Sequence, residues 1–524
     1  MMKGTLAFLN ANIVTLNPNQ PEAEAVAILD KKIIAVGSNQ KIQKRIGKET
    51  KVVDSDHRLI IPGLVDCHAH MTGFGKSLQT LNLRDVKSIR EMQQRLRSHA
   101  EQNPEKRWIL GGRWDQEKFS EKRYPTRWDL DAAVADRPVF LMRVCGHVGV
   151  ANSKALQMAG VKKDAIKKRG SVDLDAHTGE LNGLLREDAL QFVWDAIPEP
   201  SLNELEEACL SASREAVKIG LTGVHWIVGS ARELLTIQKL KFKEKLPVRV
   251  YLGIPVELLD EMVNLGLLTG FGNNMVKIGF VKILADGSLG AHTAALEKAY
   301  HDKLGTKGMM LFTQRRLNSM VSKAHKAGLQ LAVHAIGDRA VKAVLKAYDK
   351  ALKDNPREDH RHRIEHCSVL GRGLIRDMKS LKLIASIQPH FVVSDFWIGK
   401  RVGKRRARWV YAFKTMLKEG IVLAAGSDCP VEPLNPILGI WAAVARKDFF
   451  QERLTVEEAL RAYTINAAYA SFDEDIRGTI EVGKLADLTV LSRDIFHISA
   501  DKIRTAEIEM TVVGGKIVYR AQSA

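Results

Sequence analysis

Eight short apolar runs, rich in Val, Ile and Leu, recur along the middle of the chain, with helix-patterned segments between several of them. They lie at Leu59–Val65, Leu221–Ile227, Val248–Ile254, Ile278–Ala285, Gln330–Val333, Arg363–Ile364, Ile384–Ile387 and Ile421–Ala425. Leu202–Ile219 and Arg316–Ala327 carry the helical periodicity. Strand followed by helix, repeated, implies a parallel sheet, because a parallel neighbour needs a long crossover and a helix supplies it. Eight such units predict a (β/α)8 barrel, the TIM-barrel form of an α/β fold. The spacing breaks once, between Val65 and Leu221. That stretch has strand-like runs of its own (Trp108–Gly111, Val139–Val144) and reads as a subdomain of residues 72–200 inserted over the barrel mouth.

Both ends of the chain read differently. Thr5–Asn10, Ala25–Leu29, Lys32–Val36 and Lys51–Val53 alternate apolar residues with tight turns. So do Gly478–Ile480, Ala486–Leu491, Glu509–Val513 and Lys516–Tyr519. Neither end is long enough for a core of its own. Residues 1–58 plus 475–524 are therefore expected to share one small β-sandwich, flanking a barrel over 59–474. After the last barrel strand, Val456–Ala470 reads as one helix. Thr455 is its N-cap and Glu458 completes a capping box.

Three polar residues close apolar runs: His334, His366 and Asp428. A fourth run ends in His68-Ala69-His70. Residues two apart on a strand share a face, so both imidazoles can enter the barrel mouth. Barrel enzymes place their chemistry at the C-terminal ends of strands. Singly, each residue has a structural explanation: a capping or core histidine, or an Asp that caps the helix after Pro430. Jointly, they make a ligand set suited to a divalent ion, zinc first, with iron or manganese as alternatives. Lys282 lies within an apolar strand, where burial lowers the pKa of an amine and leaves it free to react with carbon dioxide. The resulting carbamate would bridge two ions. The competing reading pairs Lys282 with Asp286. Lys277, at the start of the run, is expected to be exposed.

Composition narrows the partners. Apolar residues make up 45% and charged residues 27%, a globular mixture. No apolar stretch is long enough to span a bilayer, and the N-terminus is a poor signal peptide, so a cytoplasmic protein is expected. Cys67, Cys145, Cys209, Cys367 and Cys429 are odd in number and widely spaced, against a disulfide framework. Cys67, Cys367 and Cys429 adjoin the ligand candidates, and strand alternation turns them to the opposite face. The net charge of +18 raises nucleic acid as a partner. The only dense basic run, Lys400–Arg408, has no accompanying recognition motif, so a small-molecule substrate is preferred, with no specific nucleic acid and no membrane. A homodimer is the base-rate expectation.

The chain carries the motifs PGLVDCHAH (62–70), GHVGVANSKAL (146–156), VKILADGSLG (281–290), VHAIGDRAV (333–341), RIEHC (363–367), SIQPHF (386–391), GSDCPVEPLNP (426–436) and IEVGKLADLTVL (480–491). Together these motifs resemble the amidohydrolase superfamily, most of all its amidohydrolase 3 branch of N-substituted formamide deformylase-like proteins. They span the chain in the family's order. The resemblance implies that His68 and His70 bind the more buried metal and that carboxylated Lys282 bridges. It implies that His334 and His366 bind a second ion, and that Asp428 touches the first and acts as general base. It also implies that His147, Gln388 and His390 line the substrate pocket. Two departures, Cys145 before the Gly-His of the inserted motif and Trp226 after His225, bear on substrate choice. The expected activity is hydrolysis of a non-peptide carbon–nitrogen bond in an amide or formamide-like compound. The alternatives are a single-metal deaminase using His68, His70, His334 and Asp428, and a non-catalytic relative. The chain lacks the Gly-x-Ser-x-Gly elbow of a serine hydrolase.

Overall fold

The computed structural model describes residues 2–143, 148–162, 172–186 and 189–522. They form two compact units, Met1–Phe74 with Cys209–Ala524, and Gly75–Ala208. No helix among the described residues is long and apolar enough to cross a membrane.

The first unit is built on an eight-stranded parallel sheet whose neighbours follow chain order. Its strands are β1 (Leu64–Ala69), β2 (Leu221–Ile227), β3 (Arg249–Pro255), β4 (Val276–Leu284), β5 (Gln330–Ala335), β6 (Arg363–His366), β7 (Ile384–Ile387) and β8 (Leu423–Ala425). The seam between β8 and β1 is carried by residues just past the end of β8. Asp428 N–H donates to the His68 carbonyl at 2.7 Å, and His70 N–H donates to the Cys429 carbonyl at 2.8 Å. The strands are almost wholly buried, as a parallel sheet covered by helices must be. The helix Gln314–Lys326 shows the covering logic. Thr313 caps it by accepting from Arg316 N–H, and Leu317, Met320, Val321 and Ala324 form one buried stripe at 3.6-residue spacing.

The run Leu59–Val65, expected as one barrel strand, serves two sheets. Leu59–Pro62 pairs with Asn12–Val14 and Leu488–Leu491, and the barrel strand starts only at Leu64. Gly63 makes the break: a Cβ there would meet Thr222 Oγ1 at 2.3 Å, and its N–H is taken by the Asp487 carbonyl. The N-terminal segment alone builds a four-stranded sheet of Leu6–Leu9, Ala25–Leu29, Lys32–Gly37 and Lys51–Asp54, without strands from the other end. Beside it is a six-stranded sheet drawing on both termini, and Phe8, Val26, Ile28, Ile60, Leu488 and Val512 share one apolar cluster. Gly478–Ile480, expected as a strand, is bend and coil. Val456–Ala470, expected as one helix, is two (Val456–Ala462 and Ile465–Ala470). The Thr455–Glu458 capping box is present.

The second unit has its own six-stranded sheet. Its order is Val172–Leu174, Leu181–Arg186, Val148–Ala151, Val139–Arg143, Ile109–Trp114 and Leu81–Asn82. Met92, Leu96, Ile109, Trp114 and Leu141 are buried in its core.

At the N-terminal ends of β5 and β6 three histidines are buried in a closed hydrogen-bond chain. His362 Nδ1 accepts from Leu331 N–H (3.1 Å) and its Nε2 meets His325 Nδ1 at 2.9 Å. His325 Nε2 donates to the Asn355 carbonyl, and His360 Nε2 donates to the Leu381 carbonyl. Every nitrogen is spoken for by a neutral ring, so protonating one breaks a bond. Burial accordingly lowers all three pKa values, His360 to about 4. Arg357 opposes protonation in each case, and Asp359 only partly offsets this at His360. The unfolded chain takes up protons near the ordinary histidine pKa of about 6.5, and the folded chain does not, so stability falls as pH drops through that window. The expected result is a melting temperature that falls between pH 7.5 and pH 5. His360→Gln should show a shallower fall, and equal slopes for the two proteins would contradict this assignment.

Candidate metal centre

The C-terminal ends of the barrel strands bring His68, His70 and Asp428 together. One ligand atom from each lies within 4.8 Å of the others. Asp428 Oδ1 is 3.3 Å from His68 Nε2 and 3.4 Å from His70 Nε2. His68 is buried and His70 is partly exposed. The ring of His366 lies 5.0 Å from that of His68 and 4.4 Å from that of His334. Lys282 Nζ lies 3.1 Å from His68 Nε2. All six expected metal-site residues thus converge on one end of the barrel. Cys67 turns away into an apolar cluster with Val65, Ile384 and Ala424.

Two alternatives are overturned. Asp428 caps no helix: the next one, Pro436–Ala445, is capped by Asn435. Lys282 does not pair with Asp286. That carboxylate instead accepts from the N–H groups of Ala295, Ile336 and Gly337 at 2.8–3.0 Å. Lys277, expected to be exposed, is bound to Asp473 at 2.6 Å and to the Ser471 carbonyl at 2.8 Å.

Backbone geometry holds the site. Asp428 has φ 60°, and His366 and Cys367 have φ 74° and 48°. Left-handed backbone costs a residue other than Gly roughly 1–3 kcal/mol, so surrounding bonds must hold it. Asp66 provides some of these: its carboxylate accepts from His68 N–H (2.9 Å) and from Ser427 N–H (3.1 Å). Gly426 lets the last strand approach this closely, since a Cβ there would stand 2.5 Å from His68 N. Burial pushes the Asp66 carboxyl up to about 6.

The electrostatics suit a cation. Burial would raise the pKa of Asp428, but His68 and His70 outweigh it and hold the carboxyl well below its usual range. Burial lowers His70, and lowers His366 strongly with His334 adding to it, so both are neutral imidazoles at neutral pH. Burial brings the Lys282 amine down to about 8. His334 Nε2–H donates to the Gly287 carbonyl at 3.1 Å, which leaves Nδ1 as the donor atom for a ligand. His366 Nδ1 is buried with no hydrogen-bond partner among the described residues. An orphaned buried imidazole nitrogen beside a His-His-Asp cluster is what a metal-binding donor set requires, and these residues fit a divalent ion.

The expected substrate-lining residues fare unevenly. His147 and Cys145 lie outside the described residues. Gln388 is buried and donates to the Ser386 carbonyl at 3.3 Å. His390 Nδ1 contacts the Glu432 carboxylate, and the adjacent Phe391 ring lies 6.5 Å from that of His366. Sequence reading missed Asp66, Glu365, Asp286 and Glu432. The only signal for Glu365 was its two-residue spacing from Arg363, which puts both side chains on one face of β6.

The sequence profile of the amidohydrolase family matches residues 51–519. The protein YtcJ of Bacillus subtilis (strain 168) is 35% identical over 523 residues, covering 97% of this chain and 98% of that one. The N-substituted formamide deformylase of Arthrobacter pascens is 26% identical over 539 residues, with 98% of each chain covered. A solved structure of an uncharacterized metal-dependent hydrolase from Pyrococcus furiosus superposes with a TM-score of 0.81 at 32% identity. That match covers 94% of this chain and 99% of the other.

Purified protein incubated with zinc and desalted should retain the metal by elemental analysis. The double variant His68→Ala/His70→Ala should retain less, with an unchanged circular dichroism spectrum. A wild-type protein that holds no divalent metal after this treatment would refute the centre.

Proposed function

The chain belongs to the amidohydrolase family, and on that footing we propose that it is a metal-dependent hydrolase of a small molecule. It cleaves a carbon–nitrogen bond other than a peptide bond in an amide or formamide-like substrate. The observation that carries this reading is the Asp428 carboxylate, ionised and within 3.4 Å of both His68 Nε2 and His70 Nε2. The similarity to a formamide deformylase over almost the full length supports the substrate class.

His68, His70 and Asp428 would hold one ion, zinc being the first choice for imidazole with carboxylate. His334 and His366 would hold a second. Lys282 would join them as a carbamate, formed when its neutral amine adds carbon dioxide and releases a proton. When bound, divalent metal lowers the pKa of water from about 16 toward 7 and polarises a carbonyl oxygen. Asp428 takes the proton from the attacking water and delivers it to the amine nitrogen as the carbon–nitrogen bond breaks. A carboxylate can do both, and an amide can do neither. Gln388 and His390 line the substrate space, with Phe391 beside His366 as an apolar wall.

One observation favours a single-ion version, as in a deaminase. Among the described residues, the compact ligand group is the trio His68, His70 and Asp428. Two equivalents of metal in the purified protein would exclude it.

A screen of N-formyl compounds, N-acyl amino acids, cyclic amides and ureas should identify a substrate. On that substrate Asp428→Asn should fold, bind most of its metal and lose about 10²–10⁴-fold in kcat, the usual worth of a positioned general base. Near-wild-type turnover would remove Asp428 from the chemistry. Lys282→Ala should lose activity and metal together and regain part of both with short-chain carboxylic acids. Wild-type metal content in that variant would rule out the bridge.

A further inference from the structure

Beneath the metal centre, the interior of the barrel holds a buried charge network that the proposed chemistry does not use. Arg363 is fully buried, as is Glu365, two residues on along β6. Arg363 Nε donates to Glu365 Oε1 at 2.8 Å, and Nη1 meets His225 Nδ1 at 2.8 Å. Nη2 donates to the Cys67 carbonyl at 2.6 Å and to Ser386 Oγ at 2.9 Å. The guanidinium also lies over the Phe280 ring, 4.6 Å from its centroid. The other oxygen of Glu365, Oε2, receives Ser386 Oγ at 2.6 Å and contacts His68 Nδ1.

We propose that Arg363 and Glu365 form a positioning pair that fixes the tautomer of His68, and thereby decides whether the first metal position can be filled. The proposal rests on the metal-dependent reading above.

Which groups can donate decides where the hydrogen sits. A guanidinium has five N–H donors and no acceptor. Its partner at Glu365 Oε1 must therefore accept, and His225 Nδ1 must present a lone pair. Ser386 Oγ accepts from Arg363, so its own hydrogen is free to point at Glu365 Oε2. A carboxylate held against a buried cation only accepts. The one group left to donate is His68 Nδ1–H. A neutral imidazole with hydrogen on Nδ1 has its lone pair on Nε2. Nε2 is the atom that faces Lys282 Nζ at 3.1 Å and Asp428 Oδ1 at 3.3 Å. The chain of donors from Arg363 thus sets the one nitrogen that can bind metal. A carboxylate behind a ligating histidine fixes ring orientation and raises ligand basicity, and losing one typically costs 10–100-fold in metal affinity.

The substitution Glu365→Gln reverses the hydrogen position. The amide keeps the shape of the carboxylate but has one acceptor and one donor end. Its oxygen must face the permanently charged Arg363, since a buried guanidinium facing an NH₂ group would be unpaired. The NH₂ end then faces His68 Nδ1. That demands a lone pair on Nδ1 and puts the hydrogen on Nε2, aimed at the metal position. Ser386→Ala removes its hydrogen bonds to Glu365 and from Arg363, whose Nη2 keeps the Cys67 carbonyl, and leaves the tautomer unchanged.

Zinc dissociation constants measured by competition with a chromophoric chelator test this on wild-type, Glu365→Gln and Ser386→Ala proteins. The cobalt(II) absorption spectrum reports the ligand set. Glu365→Gln should bind zinc about 10–100-fold more weakly and show an altered cobalt spectrum. Ser386→Ala should bind zinc far closer to wild type than Glu365→Gln does. Glu365→Asp keeps the charge beside Arg363 but draws the carboxylate back from His68, and serves if the Gln variant does not fold. It should also weaken zinc binding. A folded Glu365→Gln or Glu365→Asp with the wild-type zinc constant and cobalt spectrum would overturn the positioning role. Wild-type protein that binds no zinc overturns the metal reading itself.

Discussion

A charge taken out of water must be answered by another group within hydrogen-bond reach, or the fold pays several kcal/mol for it. This barrel takes an unusual set of polar and charged groups inside. Arg363, Glu365, His68 and Lys282 all lie within the eight-stranded ring, where other barrels stack branched apolar side chains in layers. Each is held by the next: Arg363 by Glu365, Glu365 by the Nδ1–H of His68, and His68 Nε2 by Lys282. Breaking one link strands its neighbour, so the polar core tolerates little change, whereas apolar layers can be repacked. The same links define the geometry of the His68–His70–Asp428 cluster above them.

The two ends of the barrel carry different loads. At the N-terminal end, ion pairs fasten the strands to the C-terminal segment. Arg249 binds Asp487, Lys277 binds Asp473, and Arg361 binds Glu474. Fastening at this end is stability work, and it leaves the other end free for chemistry. At the C-terminal end, the connections after β4 and β7 are laced together. Arg401 reaches Asp302 and the Gly290 carbonyl, and Arg406 reaches the carbonyls of Lys298 and Ala299. Part of the densest basic run in the chain is therefore spent on holding loops beside the site.

The proposed ligand positions are also where the backbone departs from regular strand. His366 and Asp428 both adopt left-handed φ at the ends of β6 and β8. A strand that continued in extended form would alternate faces and send adjacent side chains apart. Leaving the strand at these residues lets Glu365 and His366, neighbours in sequence, both serve the centre. Asp66 and Asp286 steady the loops involved by collecting backbone N–H groups that no strand partner satisfies.

Much was legible in the sequence because periodicity and end position are local properties. The eight barrel runs and the convergence of His68, His70, Lys282, His334, His366 and Asp428 could be read from strand-ending residues and the family's motifs. The errors came where one local pattern served two structures. Leu59–Val65 looks like a single strand, and only the approach of Thr222 and Asp487 to Gly63 divides it. Lys277 looks exposed, and Asp473, far along the chain, buries its charge. The support beneath the centre was invisible for the same reason. Arg363-Ile364-Glu365 is an unremarkable strand until β1, β2 and β7 bring Cys67, His225 and Ser386 to it. The order of residues along the chain determined which groups could face the barrel mouth. Which of them act together was decided by closure of the barrel, because hydrogen bonds and ion pairs depend on distances that strands remote in sequence share only once they are packed.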